Sequence, residues 1–316
     1  MAHSNEHEAL SKAFSGIGVD EKAFITILGK WQHQHKHTFR KTTSRMFLSD
    51  ERQFERWDED EVARLRHEVL RFKCAVVMWT MHPWERDARL FKEALAKGPD
   101  AHNLLIELAC TRSSDELLGA RKAYHSLFDH SVEEDVASLV TGHHRKLLVA
   151  LVSSYRYEGP RLNDETAKSE AKLLHDIVKG GGVDKKVPVQ DEEVVRILST
   201  RSKVHLKAVF RHYRELYGKD FDEEVGAHLT LKVAVQCLNH PETYFSEALH
   251  AALQTGADEF TQEALTRVVV SQADVNMAEI KAEYHKKFGS HLSQEIEATV
   301  LGNFKDFLLA LVDREN

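Results

Sequence analysis

The chain has 316 residues, of which 42% are hydrophobic and 29% are charged, with a formal net charge of -7. This composition supplies a sizeable core, and the acidic balance argues against a protein that holds nucleic acid by charge. Only 5 prolines occur, which favours helix. The longest apolar runs, CAVVMW and LLVALV, are too short to span a bilayer, so any contact with a membrane is expected from outside it.

The N-terminal stretch MAHSNEHEALSK has no apolar segment of the kind that signal peptides carry. The cysteines, Cys74, Cys110 and Cys237, are odd in number and widely spaced. This pattern suits reduced thiols in a cytosolic protein better than a disulfide framework. We therefore expect a cytoplasmic location.

The first two predicted helices are separated by the stretch AFSGIGVDE. A glycine inside a helix costs roughly 1 kcal/mol relative to alanine, so Gly16 and Gly18 indicate a shaped loop. Glycine takes backbone angles that other residues avoid, which allows successive carbonyl groups to turn toward one point. A plain glycine turn capped by Asp20 is the alternative interpretation. Trp31 follows the apolar pattern of the next helix and is predicted to lie in the core.

Four segments along the chain share one pattern, in which an apolar stretch, a small polar break and a second helical stretch follow each other. They are FITILGKWQHQH, LIELACTRSSDEL, VVRILSTRSKVHL and LTRVVVSQADVNM. Their apolar residues recur at helical spacing, and no segment shows sustained strand alternation. The sequence therefore predicts an all-α fold of four repeats with about five helices each. The predicted repeats cover residues 1–83, 84–157, 158–240 and 241–316. A charged insertion, Leu48–Glu61, interrupts the first of them.

Several longer blocks make this repeat pattern specific. They are AFSGIGVDE, VMWTMHPWERDARLFKEAL, ACTRSSDELLGARKAYHSLF and LSTRSKVHLKAVFRHYRELYG, in that order. A chain of four such repeats, with G-x-G-x-D-E loops between the first two helices, resembles the annexins, and WTMHPWERDA is most similar to plant annexins. The resemblance covers nearly the whole chain. It implies a slightly curved helical disc that binds acidic phospholipid in a calcium-dependent way.

The resemblance also implies a calcium site in the first loop, with Ca²⁺ held by the carbonyl oxygens of Phe14, Gly16 and Gly18. Calcium takes six to eight hard oxygen ligands, and backbone carbonyls are suitable ones. A carboxylate from a later helix of the same repeat is expected to be the last calcium ligand that the protein supplies. Water or a lipid phosphate oxygen would take the remaining positions, so that the ion joins an acidic protein to an acidic surface.

Two acids compete for the role of the closing carboxylate. Counting forward from the loop leads to Asp58, whereas aligning backward from RFKCAVVMWTMHPWERDA leads to Glu68. We favour Glu68, because the charged insertion shifts a residue count but not a flanking block. The carbonyl of Val19 and the carboxylate of Glu21 are candidates for a weaker second ion.

The other three loops depart from the pattern. Gly98 is followed by proline, the third loop reads KGGGVDKKVPVQ, and the fourth reads QTGADEF. The positions where acids are expected hold Leu139 in the second repeat and Thr299 in the fourth. One working calcium site is therefore expected. Lys185, Lys186 and protonated histidines would add direct attraction to anionic lipid.

Two functions remain open from the sequence. The first is calcium-dependent, peripheral binding to an anionic phospholipid membrane. The second is a helical-repeat scaffold with little calcium binding that acts through protein partners, such as another annexin or a cytoskeletal protein. No phosphate-binding G-x-x-x-x-G-K-[ST] loop and no recognisable haem site occur. The nucleotide hydrolysis and peroxidase activities attributed to plant annexins are therefore not expected, and neither is a nucleic-acid partner.

Overall fold

The computed structural model describes residues 2–31, 33–49, 55–180 and 188–314. They form two compact units, one made of Met1–Thr80 with Phe245–Asn316 and the other of Met81–Tyr244. Nearly all regular structure in these residues is helical, which confirms the predicted all-α class. In the part of the chain that the structure covers, no helix is both long enough and apolar enough to cross a bilayer.

The elements follow each other along the chain in this order: α1 (Ala2–Ala13), α2 (Glu21–Leu28), α3 (His33–Thr42), β1 (Phe47–Ser49), β2 (Glu55–Trp57), α4 (Glu59–Thr80), α5 (Pro83–Lys97), α6 (His102–Thr111), α7 (Ser114–Phe128), α8 (Val132–Leu139), α9 (Arg145–Val152), α10 (Asp164–Lys179), α11 (Glu192–Thr200), α12 (Lys203–Tyr217), α13 (Phe221–Glu224), α14 (Leu229–Asn239), α15 (Pro241–Leu253), α16 (Glu259–Gln272), α17 (Met277–Phe288), α18 (Leu292–Thr299) and α19 (Gly302–Val312). Short 3₁₀ helices at Pro99–Ala101 and Pro188–Gln190 precede α6 and α11. The bounds of the four repeats stay predictions.

Helix starts follow local capping signals. Ser113 and Ser131 each accept a hydrogen bond from the backbone N–H of a glutamate three residues later, and that glutamate's carboxylate accepts from the serine N–H in return. This reciprocal arrangement satisfies amide groups that have no partner within the helix. Gly218 and Gly289 end α12 and α17 in the left-handed conformation.

The N-terminal helices of the first unit enclose an aromatic core. Its buried members are Leu10, Phe14, Trp31, Phe39, Met46 and Phe47. Trp31 is 8% exposed, as predicted, and its indole Nε1 donates to Glu6 Oε2 at 3.2 Å. Phe14 therefore carries two functions, because its ring belongs to this core while its backbone belongs to the glycine loop.

A short hairpin lies where the sequence shows only a charged insertion. Strands β1 and β2 pair antiparallel, with Phe47 opposite Trp57 and their ring centroids 4.4 Å apart. Strands of three residues are too short to show a period-2 pattern, which is why the alternation search does not find them.

Helix α4 runs without a break from Glu59 to Thr80. Because of it, the described residues of the predicted 1–83 repeat hold four helices, whereas the described residues of each later predicted repeat hold five. The sequence between these bounds contains neither glycine nor proline, so nothing in it ends a helix.

The second unit contains a buried ion pair. Arg112 on the turn before α7 donates to both carboxylate oxygens of Asp87 on α5, at 2.6 and 3.0 Å. Both side chains are under a tenth exposed. Arg156 is also buried, and it donates to the backbone carbonyl of Arg201 at 2.7 Å and to that of Leu198.

Candidate functional site

The glycine loop follows α1 and lies against the turn between α18 and α19. Gly18 has a φ of +83°, a left-handed conformation that favours glycine. A Cβ on Gly16 would lie 2.6 Å from the Leu301 side chain. The Ile17 carbonyl accepts from Leu301 N at 2.9 Å, and Ile17 forms a parallel bridge with Val300. Gly18 is therefore favoured by its backbone conformation, and Gly16 leaves room for the Leu301 side chain, which together explain why two glycines lie between these helices.

Glu68 meets this loop from the middle of α4. Its Oε2 accepts a hydrogen bond from Gly18 N at 2.5 Å, and the residue is only 6% exposed. The structure thus brings together two of the residues predicted for the calcium site. A buried carboxylate at the end of a glycine loop is the kind of group that a hard cation requires.

Asp58 has a different role. Its Oδ1 accepts from the backbone N–H groups of Asp60 and Glu61, at 2.9 and 3.2 Å, so the carboxylate caps the start of α4. The structure joins Glu68, and not Asp58, to the loop.

Arg71 already provides a positive charge beside Glu68. Its Nε donates to Glu68 Oε2 at 2.5 Å and its Nη2 to Glu68 Oε1 at 2.9 Å. The same Nη2 donates to Gln262 Oε1 on α16 at 2.7 Å. The guanidinium group therefore holds both oxygens of the carboxylate that would bind a metal ion.

A second arginine acts on the loop backbone. Arg64 Nη2 donates to the Phe14 carbonyl at 2.7 Å and to Glu61 Oε2 at 2.9 Å. Among the residues that the structure describes, nothing donates to the carbonyl oxygens of Gly16 or Gly18. The predicted ligand set thus divides into two carbonyls without a donor and two groups that are held by guanidinium.

Val19 and Glu21 face the turn that starts α19. A Cβ on Gly302 would lie 1.9 Å from the Val19 carbonyl oxygen and 2.3 Å from Glu21 Oε2. Glu21 Oε2 also accepts from Asn303 N at 3.2 Å. The two groups proposed for a second ion therefore lie close together, with the backbone of residues 302–303 beside them.

The donor set fits a hard cation in chemical type. It consists of backbone carbonyls and a buried carboxylate, and the two arginines show that these oxygens face positive charge. A cavity of about 850 Å³ opens beside the loop and is lined by Gly16, Arg64, Glu68 and Arg71. An ion that enters from this cavity must compete with both guanidinium groups.

In their described residues, the corresponding loops of the other three predicted repeats offer fewer oxygen ligands for a calcium ion. Gly98 has a φ of +77° and leads into the 3₁₀ helix at Pro99, while Leu139 places an exposed apolar side chain at the end of α8. Asp258 caps α16 by accepting from Thr261 N at 3.0 Å, and Thr299 donates its hydroxyl to its own helix. Lys185 and Lys186 lie outside the described residues.

Sequence reasoning missed Arg64 and Arg71. The signal that could have found them is the helical spacing of Glu61 with Arg64 and of Glu68 with Arg71, since residues three apart on a helix are neighbours. No local signal points to the contact with residues 298–303, which lie about 280 positions away along the chain.

Comparisons with known proteins agree on one family. The family model described as Annexin matches residues 86–151, 169–230 and 244–311. Annexin D4 of Arabidopsis thaliana is 50% identical over the full length of both chains, and Annexin-like protein RJ4 of Fragaria ananassa is 40% identical, covering 98% of this chain and 95% of its own. Among solved structures, annexin III matches with a TM-score of 0.68 and 26% identity, covering 100% of this chain and 95% of its own.

Proposed function

This chain belongs to the annexin family, and from that premise we propose that it binds anionic phospholipid surfaces from the cytoplasmic side, with calcium held at the loop of residues 14–21. Annexins as a family bind acidic phospholipid in a calcium-dependent way and are mainly not enzymes. The resemblance to plant annexins is confirmed by the two plant relatives. Which of the loops in this particular chain binds calcium is part of the proposal.

The contact between Glu68 and Gly18 carries the proposal. It places a buried carboxylate against a loop whose Gly16 and Gly18 carbonyls accept no hydrogen bond from the described residues. Phe14, Gly16 and Gly18 would hold the ion through their carbonyl oxygens, and Glu68 through its carboxylate. Val19 and Glu21, which lie together beside Gly302, are the candidates for a second, weaker position.

Charge explains why a metal ion is needed. The chain carries a formal charge of -7, so an anionic membrane repels it at long range. A bound calcium ion supplies the positive charge that the protein oxygens and a lipid phosphate can share. The chain's own residues have to present that ion at the surface, which the cavity beside the loop allows.

Arg64 and Arg71 are the observation that favours the second function, a scaffold with little calcium binding. Arg71 balances the charge of Glu68, and Arg64 donates a hydrogen bond to the Phe14 carbonyl. These two predicted ligands are therefore already satisfied when no metal is bound. This observation favours a helical scaffold that acts through protein partners if calcium cannot displace the guanidinium groups. Other annexins and cytoskeletal proteins are the partners to test in that case.

Calorimetric titration with calcium chloride tests the proposal on the full chain. We expect the wild type to bind, and Glu68→Gln to lose at least about tenfold in affinity, because a neutral amide replaces the charged ligand. Asp58→Asn is the matched control, since asparagine still caps a helix and the Asp58 carboxylate accepts from the backbone at the start of α4. An equal loss in both variants, or no binding by the wild type, would favour the scaffold.

Liposome sedimentation tests the membrane half of the proposal. Vesicles that contain phosphatidylserine should pull down the wild type in calcium but not in chelator, and vesicles of phosphatidylcholine alone should pull down little in either condition. Glu68→Gln should sediment less than Asp58→Asn in calcium. Identical sedimentation in calcium and in chelator would contradict the proposal that calcium links the protein to the lipid.

A further inference from the structure

Three side chains that the calcium loop does not use meet on its neighbouring helices. They are His67 on α4 and the pair Glu259 and Glu263, one turn apart on α16. One ligand atom from each can be chosen so that all three atoms lie within 4.8 Å of one another. From this cluster we propose a site for a zinc-type divalent transition-metal ion.

The packing of helices α4 and α16 holds the three side chains of the cluster close together. Glu259 and Glu263 are four residues apart and therefore share one face of α16. Helix α4 packs against that helix, and the Arg71–Gln262 hydrogen bond of 2.7 Å ties the two together one turn from His67. Two carboxylates at this spacing repel each other, and a cation between them would remove the repulsion.

The imidazole of His67 is only partly satisfied by the protein. Its Nδ1 lies 3.0 Å from Glu259 Oε1, whereas its Nε2 is buried and has no hydrogen-bond partner among the described residues. Buried polar atoms in proteins nearly always have a partner, so an unpaired ring nitrogen needs an explanation. A ring flip moves Nε2 into the place of Cε1, beside the present position of Nδ1, so either nitrogen can be turned toward the two carboxylates to bind a metal.

The donor set selects the class of metal. One imidazole nitrogen and two carboxylates are typical ligands of zinc and related transition metals. Calcium and magnesium prefer sites made entirely of oxygen, which distinguishes this cluster from the loop at Glu68. Three protein ligands leave a fourth position open. His67 and Glu259 line the cavity of about 850 Å³, so that position is reached from solvent.

The test is titration of the metal-stripped full chain with zinc chloride. We expect one tight site in the wild type and a loss of at least about tenfold in affinity in His67→Ala. His125→Ala is the matched control, since that histidine is exposed on α7 in the other compact unit. Weak binding to surface histidines should change little among the three proteins, since each variant removes one of the 20 histidines. Equal titrations of wild type and His67→Ala would overturn the proposal, as would the absence of a tight site.

Cobalt supplies a second readout, because its visible absorption reports coordination directly. The wild type and His125→Ala should develop the absorption of a four- or five-coordinate ion, and His67→Ala should not. Should His67→Ala fail to fold by circular dichroism, Glu263→Gln takes its place, and an unchanged cobalt spectrum in that variant would count against the site. Glu68→Gln should keep zinc binding while it loses calcium binding, so failure of either site is seen separately.

Discussion

Arg71 holds both carboxylate oxygens of Glu68, at 2.5 and 2.9 Å, one helical turn along α4 and away from solvent. A buried carboxylate without a counter-charge is strongly destabilising, so this pair stabilises the chain when no metal is bound. The same pairing sets a threshold for calcium, because the ion has to replace a guanidinium group that is already well placed. Calcium affinity should therefore depend on Arg71 even though an arginine cannot bind the metal.

Arg71→Gln should bind calcium more tightly than the wild type, by roughly tenfold, since one competing positive charge is removed. Without calcium, the variant should unfold more easily, because Glu68 is left buried without its partner. Calcium should then raise its melting temperature more than that of the wild type, because a ligand that binds only the folded state stabilises it by mass action. Calorimetry and thermal melts with and without calcium measure both effects.

Arg64→Gln is the comparison for this prediction. Arg64 holds only a backbone carbonyl of the loop and is a third exposed, so its removal should increase calcium affinity less than that of Arg71. Unchanged or weaker calcium binding in both variants would show that the guanidinium groups do not compete with the ion.

The helical class and the glycine loop could be predicted from sequence because their signals are local. Apolar residues at helical spacing mark the helices, and Gly16 and Gly18 mark a loop that no other residue type forms easily. The choice of Glu68 over Asp58 as the closing carboxylate stays a prediction from the fixed register of the block after Glu68. The structure shows that Glu68 accepts a hydrogen bond from Gly18 N.

The surroundings of the loop could not be predicted in the same way. Leu301 and Asn303 contact Ile17 and Glu21 from almost the other end of the chain, and no local pattern encodes a contact at that separation. The two strands around Phe47 are shorter than any periodicity search detects. Arg71 lies on a face that sequence alone assigns to an ordinary charged helix, and only its burial reveals its role.

A pair of histidines in the second unit predicts loss of stability at acid pH. His102 Nδ1 lies 3.0 Å from His144 Nε2. Burial lowers the pKa of His102, and the charge of His144 lowers it further, while Asp100 acts in the opposite direction. Burial also lowers the pKa of His144, with a contribution from His143. Below a pH of about 6.5 the two histidines therefore bind protons more readily in the unfolded chain than in the folded one.

The pair's contribution to stability is thus present above that pH and is lost as the pH falls below it. Urea unfolding at pH 7.5 and pH 5.5 should show a smaller acid loss in His102→Gln than in the wild type. The hydrogen bond to Glu242 raises the pKa of His240, which makes the folded chain more stable at acid pH, in both proteins alike. The quantity to compare is therefore the acid loss of stability in the wild type minus that in His102→Gln. Equal acid losses would mean that the pair is not titrating.

The buried pair of Asp87 and Arg112 predicts a large stability effect. Asp87→Ala leaves the guanidinium group of Arg112 in the interior without its counter-charge, which typically costs about 3–5 kcal/mol. Arg211→Ala is the control, because Arg211 and Asp164 form an exposed pair that contributes little to stability. Denaturant unfolding of the three proteins measures the difference. A loss of similar size in both variants would contradict the assigned burial.

Gly119 of α7 lies directly beneath the ring of Trp84 on α5. A Cβ at this position would be 2.1 Å from Trp84 Cε2, far inside contact distance. Alanine normally stabilises a helix interior by about 1 kcal/mol relative to glycine. Gly119→Ala should nevertheless destabilise the chain, because overpacking typically costs about 1–3 kcal/mol and here involves a rigid indole.

A double-mutant cycle with Trp84→Ala decides whether this close approach is the cause. With the indole removed, the added methyl group has room, so Gly119→Ala should become neutral or stabilising in that background. The sign of its effect on the free energy of unfolding should therefore reverse between the two backgrounds, as measured by denaturant unfolding. If Gly119→Ala stabilises the otherwise wild-type chain, the two helices approach each other less closely than their contact at Trp84 indicates.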